Sequence, residues 1–320
     1  MRFALMLEPQ QGLSYEEQRE IAVIAEDLGF EALFRSDHYQ SFPGPSGLPT
    51  TDAWAVLAGL ARDTTSIRLG ALVSPVTFRL PGNFAKVTAT VQEMSGGRLE
   101  VGLGAGWNEE EHRQYGFPFP PIEVRAAMLE EQLEIVRGLW DEPDGWTVRG
   151  SHYTIDGALF APRPSVVGGR PPIIVGGSGS PRSIRIAARW ADEFNVTSSN
   201  PAEVADKFRR LAEACRAIGR DPSTIVRSTM VTTLIARDQA TLEARADALL
   251  ARIGKTGSRE DPRHWLEVRR PKWIMGTFAE ARAAVQRYAD AGAQRIMLQD
   301  MLPWDLDMIR DMGRELVGGG

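Results

Sequence analysis

The sequence predicts an α/β fold, a closed (β/α)8 or TIM barrel, from three observations. Eight short apolar runs, near residues 2, 30, 67, 98, 173, 193, 227 and 295, alternate with segments of helical periodicity. Capping signals stand at the joints between them. No GxGxxG follows the first run, which argues against the dinucleotide-binding version of a doubly wound sheet. Strand–helix alternation implies parallel strands joined by right-handed crossovers, and eight such units in 320 residues match a barrel. An open doubly wound sheet is the alternative.

Each unit is read in the same way. Arg2–Glu8 is a short apolar segment. Ser14 offers an N-cap oxygen and Glu17 completes a capping box. Ile21, Ile24, Ala25 and Leu28 then share one helical face, and Gly29 ends it as a left-handed cap. Phe30–Phe34 begins the next unit, and Thr51-Asp52 opens a helix to about Arg62. Ile67–Val73 reads as strand, Pro81–Met94 as helix and Arg98–Leu103 as strand. Leu129, Leu133, Val136 and Trp140 mark a helical stripe ahead of the buried strand Ile173–Val175. Ser180-Pro181 supplies an N-cap and a first-turn proline, and Glu193–Val196 is a strand. Asn200-Pro201 with Glu203 is a second capping box, before the stripe Val204, Phe208, Leu211, Cys215. Ile225–Ile235 is a strand. Thr277 with Glu280 caps a helix ending at Gly292, and Arg295–Leu298 is the last strand. Leu306, Ile309, Gly313 and Leu316 close the chain as a helix.

Residues 1–320 are thus read as one barrel domain with insertions near 144–172 and 238–275. The first holds a hairpin, Trp146–Ile155, and a proline-rich loop, Pro162–Pro172. The second holds a helix, Leu242–Ile253, a polar loop, and Trp265 and Trp273. Both are expected to project from the barrel and wall the site.

Composition excludes some function classes. A net charge of −5 gives no broad attraction to nucleic acid or anionic lipid. No apolar run reaches the roughly 18 residues that span a bilayer, and the N-terminus is too short for a signal peptide. The single cysteine, Cys215, cannot form an internal disulfide and falls on an apolar helix face. A cytoplasmic protein is expected, without nucleic-acid or membrane partners.

In such a barrel the chemistry lies at the carboxyl ends of the strands. Glu8 and Gln10 follow the first strand, Asp37 and His38 the second, Ser74–Thr77 and Arg79 the third, and Gly104–Asn108 the fourth. Gly176-Gly177-Ser178-Gly179 follows the fifth, Thr197–Ser199 the sixth, and Gln299-Asp300 the last. Glycines let backbone N–H groups approach an anion, and the helix begun by Ser180-Pro181 points its positive end there. GGSGSP is therefore a phosphate candidate, with Arg182 adding charge; the plain alternative is a tight turn. His38 could bind a redox ring or move a proton, with Asp37 fixing its tautomer, or be a structural histidine. Asn108 could cap the following helix or bond the edge of a pyrimidine-type ring. Glu109, Glu110 and Glu111 with His112 have no metal-ligand spacing and read as a solvated helix start.

These landmarks together resemble the luciferase-like monooxygenase superfamily, in the branch that depends on coenzyme F420, a deazaflavin. The carrying segments are AEDLGFEALFRSDHY, TDAWAVLAGLARDT, IRLGALVSPVTFRLPG, MSGGRLEVGLGAGWNEEEH and PPIIVGGSG followed by ARWADEFN. The resemblance implies a barrel of the bacterial luciferase type with F420, or alternatively FMN, stacked at the strand ends. It implies a cis peptide at Leu72-Val73 bulging against the ring beside Ser74, with His38 near the reacting ring. It further implies that Ala105 and Asn108 contact ring or tail, and that Gly176, Gly177 and Ser178 contact phosphate. Some deazaflavin-dependent dehydrogenases carry an acidic glutamate in the turn that here reads Gly104-Ala105-Gly106-Trp107. That departure argues against a sugar-phosphate dehydrogenase and leaves proton transfer to His38 or Glu8.

The implied function is hydride transfer between F420 and a small organic substrate. With FMN it becomes an O2-using monooxygenation fed by a separate reductase. A non-redox barrel enzyme and a non-catalytic cofactor-binding protein are the other classes. The resemblance also implies a homodimer.

Overall fold

The structure, a computed structural model, describes residues 1–254 and 262–318. The chain opens with β1 (Arg2–Leu7), α1 (Tyr15–Asp27), β2 (Ala32–Arg35), α2 (Ala53–Asp63), β3 (Arg68–Pro75), α3 (Pro81–Met94) and β4 (Leu99–Gly104). It continues through α4 (Glu109–Tyr115), α5 (Ile122–Asp141), the hairpin β5 (Trp146–Arg149) and β6 (Thr154–Ala158), β7 (Ile173–Gly177), α6 (Pro181–Trp190) and β8 (Glu193–Thr197). It closes with α7 (Pro201–Ala217), β9 (Val226–Ala236), α8 (Gln239–Arg252), α9 (Pro262–Arg269), β10 (Ile274–Thr277), α10 (Phe278–Asp290), β11 (Arg295–Asp300) and α11 (Leu306–Met312).

Strands β1, β2, β3, β4, β7, β8, β9 and β11 pair in that order, all parallel, and β11 returns to β1. The sheet is a closed (β/α)8 barrel, so the doubly wound alternative is excluded. The caps read from sequence are made. Glu17 N–H donates to Ser14 Oγ, Trp54 and Ala55 N–H to Asp52 Oδ1, and Glu203 N–H to Asn200 Oδ1.

Side chains alternate across each strand. Leu5, Leu7, Leu33 and Leu69 face the helices in the large core, while Ala4, Met6, Ala32, Phe34, Leu72, Ile174 and Met297 fill the barrel. At the amino end of the strands Arg295, 1% exposed, bonds Glu100 at 2.7 Å and Glu193 at 3.1 Å, sealing that end with buried charge. Burial pushes the Glu193 carboxyl up; burial acts on Glu100 too, but Arg295 and Arg68 outweigh it and hold Glu100 low. Cys215 is buried as expected.

The structure corrects two expectations about the insertions. The hairpin packs on α5, where Glu131 accepts the Ser151, His152 and Tyr153 N–H groups. The proline-rich loop returns to the amino end, with Gln92 Nε2 donating to the Val167 and Gly169 carbonyls. Neither element lies at the carboxyl rim, because α5 carries the chain back to the amino end before β7. In the second insertion the polar loop after Ile253 lies largely outside the described residues. Beyond it α9 precedes β10, an unanticipated strand that pairs with the far end of β9. No helix among the described residues is long and apolar enough to cross a membrane.

Candidate active site

Because the barrel strands are parallel, their carboxyl ends share one rim. That rim carries Glu8, His38, Leu72-Val73-Ser74, Ala105, Asn108 and Gly176–Ser178. These candidate site residues therefore lie on the same side of the molecule.

His38 is held differently from the expectation. Its Nδ1 lies 2.9 Å from Glu111 Oε2, and its ring meets Phe42 and Trp107 edge-on, with centroids 4.5 and 5.8 Å away. Glu111 is fully buried, and its other oxygen accepts the N–H groups of Tyr39 and Gln40. His112 is buried beside it. Its Nδ1 lies 2.6 Å from the Asn108 carbonyl and its Nε2 2.6 Å from the Thr77 hydroxyl. Nδ1 therefore donates to that carbonyl, and burial lowers the His112 pKa, which favours the neutral ring whose Nε2 accepts the Thr77 hydroxyl proton. The solvated reading of this stretch holds for Glu109 and Glu110 but fails for Glu111 and His112. The loop after β2 folds over α4 and dehydrates them.

Asp37 does not touch His38. It accepts bonds from Ser74 Oγ at 2.6 Å and Arg79 Nη1 at 2.6 Å. Arg79 also reaches Asp52 at 2.6 Å, and Tyr39 donates its hydroxyl proton to the same carboxylate. This ionic knot ties the β2 and β3 loops to the start of α2. Ser74 also accepts Trp54 Nε1–H at 2.9 Å, so its 1%-exposed hydroxyl is consumed internally and only its backbone is left for a ligand.

The Leu72–Val73 peptide is cis, at the point where β3 and β4 shift register. Val73 turns toward the barrel mouth over inward glycines. A Cβ on Gly104 would lie 2.6 Å from Val73 Cγ2, and one on Gly176 2.7 Å from Val73 Cγ1. Gly176 is thus a strand residue whose missing side chain makes room for Val73. The turn proper is Gly177–Ser180. Ser180 Oγ caps Ser183 N–H at 3.2 Å, and the Gly179 and Ser180 N–H groups have no partner among the described residues. Lys207 lies against Gly179 and donates to Ser199 Oγ at 2.6 Å.

Glu8 sits in a chain of side-chain hydrogen bonds across the mouth. Thr232 donates to Gln299 Oε1 at 2.7 Å, Gln299 to Glu8 Oε1 at 2.5 Å, Gln10 to Glu8 Oε2 at 2.8 Å, and Ser36 to Gln10 Oε1 at 2.6 Å. Beside it opens a cleft of about 210 Å³ lined by Ser198, Met230, Thr232, Arg269, Lys272, Trp273 and Gln299. Three of these, Arg269, Lys272 and Trp273, come from the second insertion.

Sequence reading missed Glu111, His112, Thr232 and the cationic wall of the cleft. An acid at the third position of a short helix looks the same whether it caps that helix or serves a residue 73 positions away.

A model of the luciferase-like monooxygenase family matches residues 1–311. An F420-dependent glucose-6-phosphate dehydrogenase of Beutenbergia cavernae is 32% identical over 188 residues, covering 57% of this chain and 52% of that protein. The chain thus spans about half the length of such curated relatives. Among solved structures, an F420-dependent secondary alcohol dehydrogenase in complex with an F420–acetone adduct superposes with a TM-score of 0.82. It is 20% identical, covering 99% of this chain and 98% of that one. An EDTA monooxygenase from Chelativorans sp. BNC1 gives 0.80 at 20% identity, covering 99% and 92%. At that identity the structural likenesses speak for the fold.

Proposed function

The chain belongs to the luciferase-like monooxygenase family, and from that premise we propose that it is an oxidoreductase transferring a hydride between coenzyme F420 and a small organic substrate. The carrying observation is the rim itself, which gathers His38, Val73, Asn108 and the Gly177–Ser180 turn. The match to F420-dependent relatives supports the choice of cofactor.

The residues present fit a tricyclic ring with a phosphate-bearing tail. Asn108 spends its Oδ1 on Glu111 N–H, which leaves its amide protons for a ring edge. Gly106 has φ +78°, and a Cβ there would meet Pro75 and Thr77 at 3.4 Å, so the turn beside Ala105 packs against the end of β3 and the loop after it. The Gly179 and Ser180 N–H groups, at the amino end of α6, suit a phosphate. When bound, the deazaflavin supplies the two-electron chemistry. The protein's part is to orient. Val73 would back the ring, Asn108 would hold its edge, and His38 Nε2 would exchange a proton with the substrate group that gains or loses the hydride. Trp107, 65% exposed, brings no acid to the turn, so a sugar-phosphate dehydrogenase is not proposed.

FMN is the second reading, because one fold can host either cofactor; it would bring a reductase partner. Cytoplasmic location and a homodimer belong to the same proposal. Titration of the purified protein with F420 and with FMN, followed by fluorescence, is the test. Saturable F420 binding at micromolar concentration is expected. Preference for FMN would move the reading to monooxygenation, and binding of neither would end both.

A further inference from the structure

We propose that Glu111 is a positioning residue that locks His38 in one tautomer, with its proton on Nδ1 and its Nε2 lone pair offered to the ligand. The inference deepens the reading above, since its consequence assumes that His38 meets a ligand.

The argument is an accounting of donors. Glu111 is fully buried and its carboxylate only accepts. Oε1 is taken by two backbone N–H groups, from Tyr39 and Gln40. Oε2 is left for His38 Nδ1 at 2.9 Å, so that nitrogen must donate. Nε2 has no partner among the described residues. Phe42 and Trp107 hold the ring from its edges, so the plane is set as well as the tautomer.

The placement of Glu111 departs from local helix chemistry. It stands three residues after the N-cap Asn108, where a glutamate usually reaches back to the N-cap N–H. Here Asn108 Oδ1 accepts Glu111 N–H at 3.5 Å, but the carboxylate turns to the β2 loop instead. One short helix thus carries both the free amide of Asn108 and the group that aims His38. A shift of α4 would move both together. A buried acid fixing the tautomer of a working histidine is the logic of hydrolytic triads, where amide replacement leaves geometry intact but puts the proton on the wrong nitrogen.

The test reads the proton directly. Long-range 1H–15N correlation spectra of the full chain with 15N-labelled histidine are recorded without cofactor, at alkaline pH where the rings are neutral. His38→Asn identifies the His38 signals by their loss. The wild type is expected to show the proton on Nδ1. In Glu111→Gln the amide oxygen can serve the two backbone N–H groups only by presenting its NH2 to Nδ1, so the proton is expected on Nε2. The same variant is expected to bind F420 within about twofold of wild type, with kcat lower by about 10²–10⁴ and KM little changed. A wild type with its proton on Nε2, or an unchanged tautomer in Glu111→Gln, overturns the proposal. Should Glu111→Gln fail to fold, the wild-type spectrum alone decides. The tautomer is measured on the cofactor-free protein, so a failed F420 titration refutes the proposed function without touching this result.

Discussion

Val73 occupies the space that a side chain on Gly176 would need: a Cβ there would lie 2.7 Å from Val73 Cγ1. The glycine that resembles a phosphate ligand in sequence is thus first a packing partner of the residue that shapes the mouth. Gly176→Ala must displace a branched side chain with few rotamers. It is expected to cost about 1–3 kcal/mol of stability, the usual range for overpacking. Cofactor affinity should fall with it. Val73→Ala in the same chain should restore much of the stability, and chemical denaturation of the two single variants and the double variant measures the coupling. Simple additivity would show that the contact does not matter.

The barrel was legible because its signals are local. Ser14, Asp52, Ser180, Asn200 and Thr277 announce their helices within a few residues, and apolar runs announce the strands. What failed depended on distant chain. Asp37 stands next to His38 in sequence, but its carboxylate is claimed by Arg79, 42 residues on. Glu111 reads as solvated until the loop after β2 covers it. Strand β10 is four residues long and is recruited by the overhang of β9 beyond the barrel, which no local pattern shows.

Arg295 is the fully buried cation among the carboxylates at the closed end of the barrel, within 2.7 Å of Glu100 and 3.1 Å of Glu193, with Arg68 reaching Glu100 from the side. Arg295→Met leaves those carboxylates without their main counter-charge. A loss of about 3–5 kcal/mol is expected, as for other broken buried ion pairs. The site lies at the opposite end of the strands, so a chain that still folds should bind cofactor normally. Unchanged denaturation would show that the cluster contributes nothing.

Asp300 gives a pH signature. Burial, with Asp305 adding to it, pushes its carboxyl up to about 7, against the opposing effects of the Leu302 N–H and Arg245. The folded state therefore holds a proton that the unfolded chain releases near its ordinary value of 3.8. Stability contributed by this group is present below about pH 4 and falls as pH rises to about 7. Asp300→Asn keeps an oxygen for the Leu302 N–H, 2.7 Å away in the wild type, and removes the titration. Melting temperatures compared between pH 4 and 8 should show the variant gaining on the wild type up to about pH 7 and no further. A constant difference would contradict the assignment.

Gly179 tests the phosphate turn. It has φ +79°, and a Cβ there would lie 2.6 Å from Lys207 Cδ, whose ammonium is already bonded to Ser199. Gly179→Ala combines left-handed strain of about 1–2 kcal/mol with that crowding, so the turn should open. Affinity for F420 or FMN is expected to fall about tenfold, equivalent to about 1.4 kcal/mol. Affinity for riboflavin, which lacks the phosphate, should change little. Equal losses for both ligands would mean that the turn does not meet phosphate.

Glu8 and His38 were the two residues to which proton transfer was left, and their surroundings separate them. Glu8 has both oxygens occupied by the amides of Gln10 and Gln299, in a chain that ends on Ser36 and Thr232. That is how a side chain shaping a wall is held. His38 keeps one nitrogen without a partner among the described residues. Glu8→Gln therefore has to break or reverse one bond of the chain, and kcat/KM should drop less than about tenfold, mostly through a raised KM. His38→Asn should lower kcat by about 10²–10⁴, the range for a lost general acid–base, with F420 still bound. Steady-state kinetics with any substrate that the protein turns over decides between them. A larger kcat loss in Glu8→Gln than in His38→Asn would transfer the proton-handling role to Glu8.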